Sequence, residues 1–176
     1  MKIIYLVSQI FQIIALLLDL IAYHFSTKKK IFFISSVGCV FTILHFLLLG
    51  AYSGVAAKTI TLFRNAFIAK KEDNKKYDNK MFIIIFVVIY IIFGVITYTS
   101  LYSIIPTIIA LLYFALVWNG RELRVKGASF LCSILWIIYN IFIMSYAGIL
   151  ANTILFISTG IALYNEIRKQ NKKELK

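Results

Sequence analysis

LHFLLLGAYSGVAAKT, residues 44–59, and IYNIFIMSYAGILANT, residues 138–153, are two versions of one string at an offset of 94. Tyr52 lies over Tyr146, Gly54 over Gly148, Ala57 over Ala151 and Thr59 over Thr153. The same offset sets residues 27–30, with three lysines, over the basic residues 121–124. A chain of 176 residues that repeats itself at more than half its length reads as two related units and a connector. In each string an apolar run, a short Tyr-x-Gly turn and a second helical run follow one another, which predicts a helical hairpin in each unit.

Outward from these strings the chain stays apolar. Hydrophobic residues make up 61% of it, and apolar runs of about 20 residues span a bilayer core as helices. In lipid each backbone polar group needs an internal partner, so runs rich in Ile and Phe are expected to be helical despite their β-propensity. A cleavable signal peptide does not fit the first run, which is too long and has no small-residue cleavage site. The hydropathy pattern predicts spans at 3–25, 31–50, 54–69, 81–97, 101–118, 128–146 and 148–168. The predicted fold is therefore an all-α membrane protein with seven transmembrane helices.

The net charge of +12 raises nucleic acid as a partner, but the basic residues sit in clusters between apolar spans. Lys28 to Lys30 fill the first connector, five lysines from Lys70 to Lys80 the third, and Arg121, Arg124 and Lys126 the fifth. Arg168, Lys169, Lys172, Lys173 and Lys176 lie in the tail, whereas the second, fourth and sixth connectors have no Lys or Arg. This alternation is the positive-inside pattern. It predicts a multi-pass protein of the cell membrane with its N-terminus outside and C-terminus cytoplasmic, a bilayer partner and no nucleic acid. The third connector, KKEDNKKYDNK, reads as a solvated loop.

The two signals combine into one layout. Residues 1–70 form the first three-helix repeat, 71–98 a cytoplasmic loop and linker helix, 99–168 the second repeat, and 169–176 a basic tail. Two three-span units joined directly would point in opposite directions. One linker helix makes them parallel, about an axis along the membrane normal.

At this point the chain resembles a known family. His45 to Tyr52, followed by Arg64, and Trp136-Ile137-Ile138-Tyr139-Asn140 are similar to the YgjV-type bacterial inner-membrane proteins, over a stretch from the end of the first span to Arg168. The resemblance implies a multi-pass cell-membrane protein. The 3+1+3 layout, with Trp136, Tyr139, Asn152 and Pro106, also resembles the sugar-transporting SWEET and PQ-loop architecture. That resemblance implies a pocket between two three-helix bundles, lined by a Trp and an Asn, with prolines as hinges. The first unit differs, having Lys58 opposite Asn152, Thr42 opposite Trp136 and Gln12 opposite Pro106.

Asp19 is the most anomalous residue, roughly 13 Å inside the cytoplasmic end of its helix by its distance from Lys28. Intramembrane acids are costly unless paired or hydrated. Arg64 is expected at similar depth, and the matched positions Tyr113 and Ser158 are both neutral. These features predict an intramembrane Asp19–Arg64 ion pair, either architectural or with Asp19 as a protonatable coupling site. Ser8, Gln12, Ala15 and Asp19 recur at helical spacing and form one polar stripe, facing the bundle or a hydrated path.

The candidate substrate-binding set is Asn152, Asn140, Trp136, Tyr139, His45, Lys58 and Gln12. Amides in hydrocarbon need partners and offer donors and acceptors to a polar solute. Trp136 serves as a stacking platform or as packing. His45 and Tyr139, at matched places, contact a ligand or make interhelical hydrogen bonds. Lys58 either snorkels to the surface or recognises an anionic group. Pro106, the only proline, is a hinge or a static kink. Gly54 and Gly148 are expected to supply positive φ in the outer turns. Cys39 and Cys132, without metal-ligand neighbours, read as small core hydrophobes.

No catalytic residue, metal site or cofactor is expected, because the sequence has no phosphate loop and no acid or His cluster at ligand spacing. The leading functional expectation is a transporter or facilitator of a small polar or anionic solute, with a homodimer left open. A seven-helix sensor and an accessory or structural membrane subunit remain the alternatives.

Overall fold

Runs of Ile, Leu, Val and Phe with no break longer than a short turn close their backbone hydrogen bonds within themselves, and here they do so as helices. A computed structural model describes residues 2–22, 28–73, 80–117 and 122–174. Among the described residues there are seven α-helices and no strands. They are α1 (Lys2–Ala22), α2 (Lys28–Leu48), α3 (Tyr52–Asp73), α4 (Lys80–Ile96), α5 (Ile105–Val117), α6 (Glu122–Phe142) and α7 (Tyr146–Glu174).

Seven helices were expected, but the lengths differ from seven full crossings. Lys2–Ala22 and Tyr146–Asn165 are long and apolar enough to cross a membrane. Phe33–Leu48, Met81–Ile96, Leu101–Leu116 and Gly127–Phe142 are shorter apolar helices. Lys58 and Arg64 interrupt the apolar character of α3. The fifth span also begins differently, as a 3₁₀ turn at Leu101–Ile104. Ser103 Oγ accepts from the amides of Thr99 and Ser100 at 3.0 and 3.1 Å, which fixes that turn. Pro106 is then the second residue of α5 and is fully buried. In a first turn its missing N–H removes no intrahelical bond, so it starts a helix instead of kinking one.

The chain divides into two units, Met1–Thr107 and Ile108–Lys176. In the first, α2 packs against both α1 and α3, and α3 packs against α4. Phe67 meets Phe82 and Phe86 at centroid distances of 4.4 and 5.8 Å, joining α3 to α4. In the second unit α6 packs on α7. Phe130 stacks on Phe156 at 4.4 Å, and Gly160 leaves room for the Phe130 ring.

The polarity of α1 is inverted relative to a soluble helix. Ser8, Gln12, Ala15 and Leu16 are buried, while Ile3, Leu6, Ile10, Ile13, Leu17 and Ile21 are exposed. A continuous apolar outer stripe over a polar inner one is stable only where the surrounding medium is itself apolar.

The α2–α3 and α6–α7 turns have the same hydrogen bonds, position for position. Gly50 N–H donates to Leu47 O at 3.1 Å and Ala51 N–H to Phe46 O at 2.9 Å. At the offset of 94, Met144 N–H donates to Ile141 O at 3.2 Å and Ser145 N–H to Asn140 O at 2.8 Å. Gly50 has φ 68° and Met144 φ 55°. A left-handed residue with these two crossed bonds satisfies the last carbonyls of a helix. The positive φ therefore falls four residues before Gly54 and Gly148, which lie inside the first turns of α3 and α7.

A helix crossing recurs as well. A Cβ at Gly38 would lie 3.5 Å from Ala15 O, and Cys132 Sγ lies 3.9 Å from Ile109 O. These are the same two positions in each unit, 94 residues apart.

Candidate functional site

In the first unit α1 and α2 run antiparallel along a seam of small and polar residues. Ser8, Gln12, Ala15 and Asp19 on α1 meet a stripe on α2 made of Ser35, Gly38, Thr42 and His45. His45 Nδ1 donates to the backbone carbonyl of Ser8 at 2.7 Å, and His45 is fully buried. His45 thus makes the interhelical bond that was one of its two expected roles. Thr42 Oγ1 donates to Gly38 O at 3.1 Å, folding its hydroxyl back on its own helix. Ser8 Oγ does likewise to Tyr5 O at 2.6 Å. Gln12 lies between them, buried, and its Oε1 has no hydrogen-bond partner.

At the other end of the seam Asp19 is half-buried against Gly38, whose Cβ, if present, would stand 3.2 Å from Asp19 Oδ1. The carboxylate accepts a hydrogen bond from Ser35, and the cation acting most strongly on it is Lys58 of α3. Arg64, the expected partner, is buried and gives Nη2 to Asn65 Oδ1 at 3.0 Å. The structure thus sets Lys58 against Asp19. A Lys stem is long enough to carry its ammonium several ångströms along the bundle, so depth along the helices did not determine the partner. Lys58 joins the charged group in the first unit, and Cys39 lies within reach of the charges of Lys58, Asp19 and Arg64.

In the second unit the polar residues gather at the α6–α7 turn. Asn140 is buried, its Nδ2 donating to Trp136 O at 2.8 Å, and its Oδ1 has no hydrogen-bond partner. Gly148 fits beneath it, since a Cβ there would stand 2.6 Å from Asn140 Cγ and would collide with Ser145 Oγ. Ser145 caps α7, its Oγ accepting from Gly148 N–H at 3.1 Å. Asn152, half-buried, donates Nδ2 to Gly148 O at 2.8 Å. Trp136 and Tyr139 meet edge to face at 5.7 Å, and Tyr139 is fully buried.

Asn140, Asn152, Trp136 and Tyr139 are thus neighbours in one unit. Gln12, His45, Lys58, Asp19 and Arg64 belong to the other, where His45 and Gln12 lie along the seam and the three charges at its far end. Sequence reasoning missed Ser35, Asn65 and Ser145. Ser35, Gly38, Thr42 and His45 recur at spacings of three, four and three, the same signal that marked the stripe on α1. Asn65 and Ser145 carry no such signal.

No curated protein and no solved structure matches the chain. A family model described as a bacterial inner membrane protein matches residues 6–170. With an apolar exterior, polar interior seams and that match over nearly its whole length, the chain belongs to the Imp-YgjV family of bacterial inner membrane proteins.

Proposed function

We propose that this protein is a SWEET-like, non-enzymatic transporter or facilitator of a small polar or anionic solute, built from two related three-helix units of one orientation with α4 as linker. The observation that carries this reading is the pair of buried amide oxygens, Gln12 Oε1 and Asn140 Oδ1, that have no hydrogen-bond partner. Leaving a buried acceptor unmet costs about 1–3 kcal/mol. A protein whose outer surface is apolar keeps such groups where a solute with donor groups meets them. The recurrence of one turn and one helix crossing at an offset of 94 supports two units of common design. The distribution of lysine and arginine supports an outside N-terminus and a cytoplasmic C-terminus, with the bilayer as the standing partner.

Flux into liposomes containing the purified full chain tests the proposal. Uptake of at least one labelled polar solute is expected, falling tenfold or more in Gln12→Leu and Asn140→Leu. A panel in which solutes bind but none crosses would favour a sensor and overturn transport.

A further inference from the structure

Asp19, Lys58 and Arg64 are a feature of the first unit alone. The matched positions in the second unit are Tyr113, Asn152 and Ser158, all neutral. That unit nevertheless brings its α5 and α6 together at the positions that join α1 and α2, with Cys132 against Ile109 in place of Gly38 against Ala15. The fold therefore makes this crossing without charges, and the scaffold alone does not account for them.

Charge balance shows what the group suits. Among the described interior residues of α1, α2 and α3 there are two permanent cations, Lys58 and Arg64, and one acid, Asp19. The acid offsets one cation. A net positive charge held at this depth is costly and is stabilised by an anion. Arg64 is buried and anchored by Asn65, itself buried, so its guanidinium is held in place on α3. Gly38 has no side chain where Asp19 sits, which leaves space on α2 beside the acid. Ser35 and Asn65 add neutral hydrogen-bonding groups of the kind that orient a small anion.

We infer that the first unit holds a binding site for a monovalent anionic group, a halide or the carboxylate of a small organic acid, with Lys58 and Arg64 as its cations and Asp19 as a competing internal anion. The inference deepens the transport reading, on which it rests for the claim that the anion belongs to the transported solute. Asp19 then acts as a lid of charge: it occupies one cation when the site is empty and yields it when the external anion arrives.

The test uses the full chain in detergent, with the thermal-unfolding midpoint followed against sodium chloride, sodium acetate and neutral glycerol. Chloride, acetate or both raise the midpoint saturably, and glycerol at the same concentrations does not. The Lys58→Gln, Arg64→Gln double variant, which controls for general salt effects, loses the saturable part. Asp19→Asn removes the competitor, and its anion dissociation constant falls about tenfold. A structural carboxylate predicts the opposite, since its loss would only weaken the unit. Response to chloride alone identifies a halide site, and response to acetate a carboxylate site. A wild-type midpoint that ignores both anions overturns the inference whatever the variants do, and leaves transport of neutral solutes standing. Saturable anion binding without anion flux in liposomes supports the site and overturns transport.

Discussion

Met144 holds the same left-handed backbone as Gly50, with φ 55° against 68°, at the same place in two turns 94 residues apart. Glycine adopts this conformation without steric cost, whereas a side chain with a Cβ pays about 1 kcal/mol or more. Met144→Gly is therefore expected to stabilise the protein by about 1 kcal/mol. Gly50→Ala is expected to destabilise it by a similar amount, and since nothing lies within 4 Å of a Cβ at Gly50, that loss comes from backbone strain alone. Thermal-unfolding midpoints in one detergent check both signs. Equal effects in the same direction would remove the equivalence of the two turns.

Gly148→Ala should be far more damaging than Gly50→Ala. Its Cβ would be driven into Asn140 and Ser145, which cap and close the α6–α7 turn. A loss of about 2–3 kcal/mol is expected, the range for overpacking a buried site. Shortening the neighbour relieves it, so Gly148→Ala with Asn140→Ala should recover more than half. A double-mutant cycle that came out additive would mean the two residues do not touch.

The charged group makes a prediction about partner choice. Since Lys58 is the cation acting most strongly on Asp19, exchanging Asp19→Lys with Lys58→Asp should restore a monodisperse, folded protein lost in either single change. Exchanging Asp19→Arg with Arg64→Asp should restore less, because Arg64 is engaged by Asn65. Size-exclusion profiles of the six variants decide between the two partners.

His45 ties α2 to α1 through the Ser8 carbonyl at 2.7 Å. Removing that bond in His45→Leu should cost about 1 kcal/mol in unfolding free energy. Retention of about half that cost in His45→Gln, which keeps a donor, would locate the effect in the hydrogen bond. Identical losses in both variants would assign it to packing against Phe46, whose ring centroid is 5.2 Å away.

Much of this was legible in the sequence. Seven apolar runs gave seven helices because a backbone in an apolar medium has few other ways to satisfy itself. The buried stripe on α1 followed from spacing, since residues three and four apart share a helix face. Burial of Asn140 and Gln12 followed from the cost of leaving an amide in hydrocarbon. The partner of Asp19 was not legible, because spacing fixes a face and a depth but not how far a flexible Lys58 stem reaches. The start of α5 was missed for a related reason: Ser103 gathers two amides into a 3₁₀ turn, and no periodicity records that. The end of α7 at Glu174 lies past the expected boundary at Arg168, since a charged run of good helix formers continues a helix beyond its apolar part.

The missing side chain at Gly38 ties the fates of two positions together. With Asp19 Oδ1 3.2 Å from where a methyl group would begin, bulk gained at one place must be surrendered at the other. Any lineage that kept the acid was bound to keep the glycine. One that lost it was free, as the Tyr113 and Cys132 half shows, to fill the notch with sulfur.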